Sequence, residues 1–280
     1  MNAPLTSLQT QNPSVFIICY FNAGLVQTTD CDYNTTWDTP PYRSLLGNLW
    51  PKFPNERWIN IKNTTAQDLI KKRITLARDL GCDAVDPDNI DGYGVDSDDE
   101  LPDDQKTGFH LVEEDDINFM RALSKHAHDL TTTRGYTMLI GQKNARELAG
   151  TLLKEGLVDF AVLEDCKGLR ETVSNAAFCS DFQPFIKAGK PVLSIEYPVS
   201  LESGVGSGKC SSTGANSKEY TASCDKTKGN AGFSTVLKIK EGDGELNGCT
   251  QYCDAGQGKG VVVTATDGGK DSAKCLSGTL

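Results

Sequence analysis

Histidine is scarce in this sequence: His110, His126 and His128 are the only three among 280 residues. None has a partner at ligand spacing on a strand end, and His126 and His128 fall near a helix C-terminus, where a partly charged imidazole is welcome. A histidine-built metal centre or general base is therefore not expected. Positive charge is also short. Lys and Arg total 28 against 38 Asp and Glu, a net charge of −10, which excludes a nucleic-acid partner, whose phosphates need a basic surface. No apolar run reaches the length of about 18 residues that a membrane-spanning helix requires. The glycine fingerprint of a dinucleotide-binding sheet is missing after the first strand. Met1-Asn-Ala-Pro-Leu-Thr-Ser-Leu-Gln-Thr10 has neither a basic start nor an apolar core, so it is not a signal peptide.

What is present points elsewhere. The length suits one α/β barrel or two small domains with a real core. The acidic balance is compatible with a neutral or cationic ligand, because a cleft lined with carboxylates concentrates cations. Ten cysteines, an even count gathered toward the C-terminal half, suit an oxidising compartment. Cys249 and Cys253 come near a zinc spacing, but no histidine lies close to them and no metal or other cofactor is expected. The sequons Asn34-Thr-Thr and Asn63-Thr-Thr agree with a secreted, extracellular glycoprotein.

Strands and helices alternate over the first 200 residues. Val15–Tyr20 reads as a strand buried on both faces, and Ala66–Leu80 carries a helical apolar stripe that Gly81 stops. A strand at Ala84-Val85 runs into Asp86-Pro-Asp88-Asn89. Asp115–Leu130 is a helix opened by acids, Tyr136–Ile140 a strand, Ala145–Leu153 a helix and Phe160–Leu163 a strand. Glu171–Ala188 is helical or irregular, followed by strands at Pro191–Tyr197 and Phe233–Leu237. Regular alternation implies a parallel sheet with covered faces. Nearly every strand ends in polar residues, as when several strand ends converge at the C-terminal face of a barrel, so a barrel is expected over a doubly wound sheet. Residues 1–14 read as a tail, 15–254 as the barrel domain, 203–231 as an irregular insertion within it, and 255–280 as a Gly-rich tail. The acidic stretch 94–107 reads as a solvated loop.

The densest chemistry is Cys82-Asp-Ala-Val-Asp-Pro-Asp-Asn-Ile-Asp-Gly-Tyr93, where Asp86, Asp88 and Asp91 gather at a strand end. Like charges this close shift one another's pKa values, a cost that function or a metal explains. A helix-loop-helix calcium template fails, since counting from Asp86 places Ile90, Asp91 and Ser97 at its diagnostic positions. The second acidic strand end is Val162-Leu-Glu164-Asp-Cys166. Its strand lies two after the Asp88 strand, and alternate strands of a barrel contribute to one interior layer. Two carboxylates flanking a bond are what glycoside cleavage uses, one donating a proton to the leaving oxygen and the other attacking or activating water. Paired acids on strands are as often parts of ion-pair networks.

The pieces Ile18-Cys-Tyr-Phe-Asn-Ala-Gly24, Glu56-Arg-Trp-Ile-Asn60, Gly81–Tyr93, Lys143-Asn144, Asp159–Cys166, Phe182–Val192, Ile195-Glu-Tyr-Pro198, Gly232–Lys238 and Gln251-Tyr-Cys-Asp254 together resemble the endo-α-1,4-polygalactosaminidase glycosidases, family 114. The most specific of them is Asp-Pro-Asp-Asn-x-Asp-Gly-Tyr followed by a later Glu-x-Cys, and the resemblance covers roughly residues 15–254. It implies a TIM-type (β/α)8 barrel that hydrolyses α-1,4-linked galactosamine or N-acetylgalactosamine polysaccharide with retention of configuration. Asp88 matches the family's catalytic aspartate, the better nucleophile candidate, and Glu164 its glutamate, as acid/base. Retention calls for carboxyls about 5–5.5 Å apart, inversion for about 6.5–9.5 Å.

On the same resemblance Asp86, Asp91, Lys143, Asn144 and Glu196 are sugar- or amine-binding candidates, and Tyr20, Tyr93 and Tyr197 stack on or edge a ring. Cys166 and Cys179 look like a loop disulfide bracing the chain after Glu164. Relatives carry a strand before the piece matching Val15–Gly24, so this barrel is expected to lack its first strand. Leu163 stands where relatives often have asparagine. A monomer is expected. The competing readings are a carbohydrate-binding pseudoenzyme on the same barrel and a calcium-stabilised adhesion domain.

Overall fold

The computed structural model of the chain describes residues 8–169, 177–204, 209–240, 249–256 and 260–263. They fall into two units, one ending at Asp159 and one beginning at Phe160. In the first unit the strands are β1 (Ile18–Asn22), β2 (Leu25–Gln27), β3 (Leu46–Trp50), β4 (Phe53–Ile59), β5 (Ala84–Asp88) and β6 (Leu139–Lys143). Its helices are α1 (Thr64–Asp79), α2 (Gly92–Asp96), α3 (Glu113–His128) and α4 (Ala149–Lys154).

Strands β1, β5 and β6 form a parallel ribbon in that order of pairing, with Ile18 opposite Ala84, Asn22 opposite Asp88 and Val85 opposite Ile140. The register brings the polar C-terminal ends of β1 and β5 level with each other. Their opposite ends are clamped by Asp83, a buried acid that accepts from the Ile17 amide at 2.8 Å, from Arg134 Nη1 at 3.0 Å and from the Tyr136 hydroxyl. That clamp explains two shifted boundaries. The first strand starts at Ile18 rather than Val15, and Tyr136 serves Asp83 from a turn while β6 starts at Leu139. The Cys19–Cys82 disulfide ties β1 to the chain leading into β5.

Helix α1 starts where the Asn63 side chain accepts the Thr65 amide at 2.8 Å, and the chain turns out of it at Gly81, whose φ is +98°. Its buried stripe, Ala66, Leu69, Ile70, Ile74 and Ala77, packs with α3, which buries Ile117, Phe119, Met120, Leu123 and Ala127. Each buried Leu, Ile, Met or Phe contributes roughly 1.5–3 kcal/mol. Acids fill the first turn of α3 and Lys125, His126 and His128 its last, matching the helix dipole at both ends. Helix α4 begins at Ala149 rather than Ala145, because Asn144 and Ala145 leave β6 in left-handed conformations, φ 42° and 51°.

Periodicity predicts no strands between Gly24 and Asn60, where the structure places an antiparallel sheet, β2–β4–β3. Pro51, Pro54 and Gly47 break the alternation that would have announced it. The 94–107 stretch also differs from a plain solvated loop. Helix α2 covers its start, and Asp96 closes its base by accepting from the Thr107 amide at 2.8 Å, the Thr107 hydroxyl at 2.5 Å and the Leu111 amide at 2.6 Å.

In the second unit β7 (Phe160–Glu164), β8 (Val192–Glu196) and β9 (Ser234–Lys238) are parallel. Strands β10 (Cys249–Tyr252) and β11 (Val261–Val263) extend the sheet antiparallel from β9. Helices α5 (Gln183–Lys187) and α6 (Ser217–Cys224) accompany them. Helix α6 lies inside the stretch 203–231 that its composition marked as irregular. Asn216 caps it by accepting the Glu219 amide at 2.9 Å, and Cys224–Cys253 ties down its end. Cys210 pairs with Cys249 and Cys166 with Cys179. Most of 255–280 and part of 171–188 lie outside the described residues.

Candidate active site

Strand β5 carries Asp86 and Asp88 two residues apart, and residues so spaced share one face of a strand. The backbone around Asp88 is fixed tightly. Its carbonyl accepts from the Ala23 amide at 3.0 Å and the Gly24 amide at 3.1 Å. Its own Oδ1 accepts the Asn89 amide at 2.9 Å, a closure that Asn89 permits by adopting φ 57°. Oδ2 accepts from the Tyr20 hydroxyl at 2.7 Å and pairs with Lys143 Nζ at 3.6 Å. The same ammonium lies 5.0 Å over the Tyr20 ring. Tyr20, Asp88 and Lys143, proposed from three separate motifs, are thus brought into one cluster, and Tyr20 presents the cluster to solvent at 56% exposure.

Asp91 belongs to the same acidic field. Burial pushes its pKa up to about 6, the charges of Asp88 and Glu147 add to that, and Lys143 opposes it. Tyr93 is raised to about 12, again first by burial and then by Glu147, Glu113 and Asp91, so its hydroxyl keeps its proton at neutral pH. Two residues the sequence reading did not single out complete this region. Asn22 accepts from Asn89 Nδ2 at 3.1 Å and from the Leu25 amide at 3.0 Å, and donates to Glu56 Oε2 at 3.4 Å. Glu56, also bonded by Gln27 at 2.5 Å, has its pKa raised by burial and by Asp88's charge. Both residues lie inside quoted motifs. Glu56 carries no signal of its own, because prolines hide the strand that bears it.

Asp116 on α3 supports this region from below by accepting the Tyr93 amide at 2.8 Å. Burial pushes its pKa up to about 8, with the Asp91 and Asp115 charges adding to it. The folded chain therefore keeps a proton on Asp116 to about pH 8, while the unfolded chain loses it in the ordinary carboxylate range. Stability from this group is complete below that range and falls as pH rises toward 8. Asp116→Asn is expected to remove this slope, at most about 1.4 kcal/mol per pH unit, from denaturant unfolding measured between pH 5 and 8. An unchanged slope would mean that Asp116 is ionised in the fold.

In the second unit β7 ends on Glu164, and the Tyr197 hydroxyl just beyond β8 donates to Glu164 Oε1. Asp165 follows in a left-handed conformation, φ 49°, with its amide on the Ile195 carbonyl at 2.8 Å. The Cys166–Cys179 disulfide then braces the chain. Lys240 Nζ lies 5.6 Å over the Tyr197 ring. Glu196, expected to meet a sugar, is 0% exposed and turns inward to accept from Ser194 Oγ at 3.1 Å, so the structure does not offer it to a ligand. Asn144 shapes the exit from β6, its carbonyl accepting from Gln142 Nε2 at 2.9 Å. Ser124, His128 and Asp159 line up in hydrogen-bonding sequence at 3.4 and 2.8 Å, but the serine is sealed inside α3, with no room for an acyl substrate.

Asp88 and Glu164 thus each stand at the C-terminal end of a parallel strand and each accepts from a tyrosine hydroxyl. The sequence model of glycoside-hydrolase family GH114 matches residues 2–258. The chain belongs to family GH114. It is accordingly a glycoside hydrolase with a fold of the TIM-type (β/α)-barrel class.

Among solved structures, Aspergillus fumigatus Ega3 in complex with galactosamine is similar at 30% identity and a TM-score of 0.67, over 90% of this chain and 83% of that one. The glycoside hydrolase domain of PelA from Pseudomonas aeruginosa, at 12% identity and a TM-score of 0.53, covers 86% of this chain and 84% of its own, a likeness of fold alone. No curated protein matches the chain. Among the described residues of this GH114 chain no helix is long and apolar enough to cross a membrane.

Proposed function

We propose that this GH114 enzyme hydrolyses α-1,4-linked galactosamine polymers within the chain, with Asp88 as nucleophile and Glu164 as acid/base. The observation that carries the reading is the construction around Asp88. Its carbonyl is pinned by two amides, and its carboxylate is aimed by Tyr20 and Lys143 at the end of a parallel strand. The similarity to Ega3, whose structure holds galactosamine, supports the substrate class. So does the charge around Asp88. Asp91 and Glu56 lie within electrostatic reach of Asp88, and Glu147 within reach of Asp91, with Lys143 as counter-charge, a field that favours a cationic amino sugar over a neutral hexose.

In the first step Glu164 gives its proton to the leaving glycosidic oxygen while an Asp88 oxygen bonds to the anomeric carbon. Glu164 then takes a proton from water as that water attacks the same carbon and releases Asp88. The hydroxyl of Tyr197 fixes the Glu164 rotamer for both proton transfers. Asp86, Asp91, Tyr93 and Asn144 line the sugar's approach. Four disulfides among the described residues accord with a secreted enzyme.

The test is cleavage of partly deacetylated α-1,4-galactosamine oligomers, followed by mass spectrometry for length and by proton NMR for the first-formed anomer. Shorter oligomers appearing first as the α-anomer are expected. β-anomer first would assign inversion, and folded protein that binds the oligomers without shortening them would make the chain a binding pseudoenzyme.

A further inference from the structure

Glu196 shares the buried face of β8 with Ser194, two residues before it. Its Oε1 accepts from Ser194 Oγ at 3.1 Å, and Oε2 has no hydrogen-bond partner among the described residues. The turn that follows Glu164 lies against it. A carboxylate oxygen and the sulfurs of Cys166 and Cys179 fall within 4.8 Å of one another, and Cys166 Sγ is 3.9 Å from Ser194 Oγ. Those sulfurs are bonded to each other, so the group offers no thiolate to a metal.

The charges facing Glu196 come from the same turn. Asp165 repels a carboxylate there, and Lys167 attracts it. Lys167, however, spends its ammonium on the carbonyls of Ala222 and Asp225, at 3.1 and 2.6 Å. From β9 the residue opposite is Leu237, and neighbouring Lys238 bonds Thr250 at 2.8 Å. The Ser194 hydroxyl, the Lys167 amide and the Lys167 charge all favour the anion, but burial and the adjacent Asp165 outweigh them. The neutral acid fits the same space without that penalty.

We propose that Glu196 is a positioning residue that works as an uncharged carboxyl, seated under the Glu164–Lys167 turn and holding Glu164 in its catalytic stance. Two links carry the effect. Asp165, next to Glu164, is hydrogen-bonded to the Ile195 carbonyl at 2.8 Å, and Tyr197, next to Glu196, donates to Glu164. Ionising Glu196 sets a second negative charge against Asp165 and pushes the turn and Tyr197 from this arrangement. Burial, with Asp165's charge behind it, raises the Glu196 pKa to about 8, which places that event above neutrality. The proposal rests on the reading of Glu164 as a catalytic acid.

The experiment compares wild type with Glu196→Gln, a neutral isostere, and Glu196→Ala across pH 6–9, by kcat and KM on galactosamine oligomers and by denaturant unfolding. The Gln variant is expected to match wild type within about twofold at pH 6. Its ratio to wild type, in which titration of the substrate cancels, should rise about tenfold by pH 9 as wild type loses the neutral form. Glu196→Ala is expected to lower kcat about tenfold with little change in KM, the mark of misplacement rather than weaker binding. Superimposed wild-type and Gln profiles overturn the proposal.

Unfolding separates this result from the assignment of function. The folded chain holds the Glu196 proton up to about pH 8, so this part of its stability is lost as pH rises toward 8. The wild-type unfolding constant should change relative to that of Gln by up to about tenfold per pH unit between pH 6 and 8. A flat ratio also overturns the proposal. A chain that shows the unfolding effect but cleaves nothing at any pH defeats the catalytic reading, and the positioning role falls with it.

Discussion

Asp88→Asn and Glu164→Gln are each expected to lower kcat/KM on α-1,4-galactosamine oligomers by about a thousandfold or more, roughly 4 kcal/mol of lost transition-state stabilisation. The two losses differ in kind. Asparagine at position 88 cannot form the glycosyl bond, so its loss persists whatever the leaving group. Glutamine at 164 cannot supply a proton, and an aryl galactosaminide, whose phenolate leaves unprotonated, should recover most of the first step. Equal recovery of both variants on the aryl substrate would sink the assignment of roles, and activity of either near wild type would remove that residue from the mechanism. Folding must be checked by melting, because Lys143 is buried and pairs with Asp88 at 3.6 Å. Asp91 also faces Lys143, which limits the cost of losing that partner. The substitution at 88 should also lower the Asp91 pKa, since Asp88's charge helps to hold it near 6.

Gly24→Ala is the second large effect, and it follows from a close approach of backbone to backbone. A Cβ at position 24 would lie 1.7 Å from the Asn89 carbonyl oxygen and 2.9 Å from its carbon. No side-chain rotation relieves such a clash, so the Asn89–Ile90 peptide, and with it the Asp88–Asn89 turn, or the end of β1 must move. That movement breaks the two amide contacts holding the Asp88 carbonyl and takes Asp88 away from Tyr20. A displacement near 1 Å costs about a hundredfold in rate, and overpacking of this kind destabilises by about 1–3 kcal/mol. The expected result is a loss of kcat/KM of at least about a hundredfold together with a lowered melting temperature. Gly150→Ala is the control. It lies in α4 with nothing within 4 Å of its added carbon and should leave activity unchanged. Full activity in Gly24→Ala would show that the Asn89 turn is softer than its hydrogen bonds imply.

The parallel strands, their acidic ends and the helices α1 and α3 were legible in the sequence because each is written in local periodicity. Buried strands show as short β-branched runs, amphipathic helices as apolar stripes, and Gly81 marks a stop that only a left-handed residue accommodates. Asp88 and Glu164 stand out for the same reason, as acids at the ends of such runs two strands apart, and the motif resemblance supplies their catalytic roles.

Tertiary structure alone decided what depends on residues far apart in the chain. Tyr20 reaches Asp88 only because β1 and β5 pair with Asn22 opposite Asp88, and Gly24 must be glycine only because Asn89 passes over it. The sheet β2–β4–β3, which delivers Glu56, forms by cross-strand pairing that prolines hide from any periodicity. Cys249 and Cys253, close in sequence, bond to Cys210 and Cys224 instead of sharing a site. Glu196 shows the limit most plainly. A glutamate at a strand end reads as a ligand to a sugar, yet which way its side chain faces is set by the strand's pleat and by the turn packed on it, and here both direct it inward. Sequence determines which groups arrive at the strand ends, because periodicity is local. Only the fold decides which of them face one another, because register, turn and disulfide act through space.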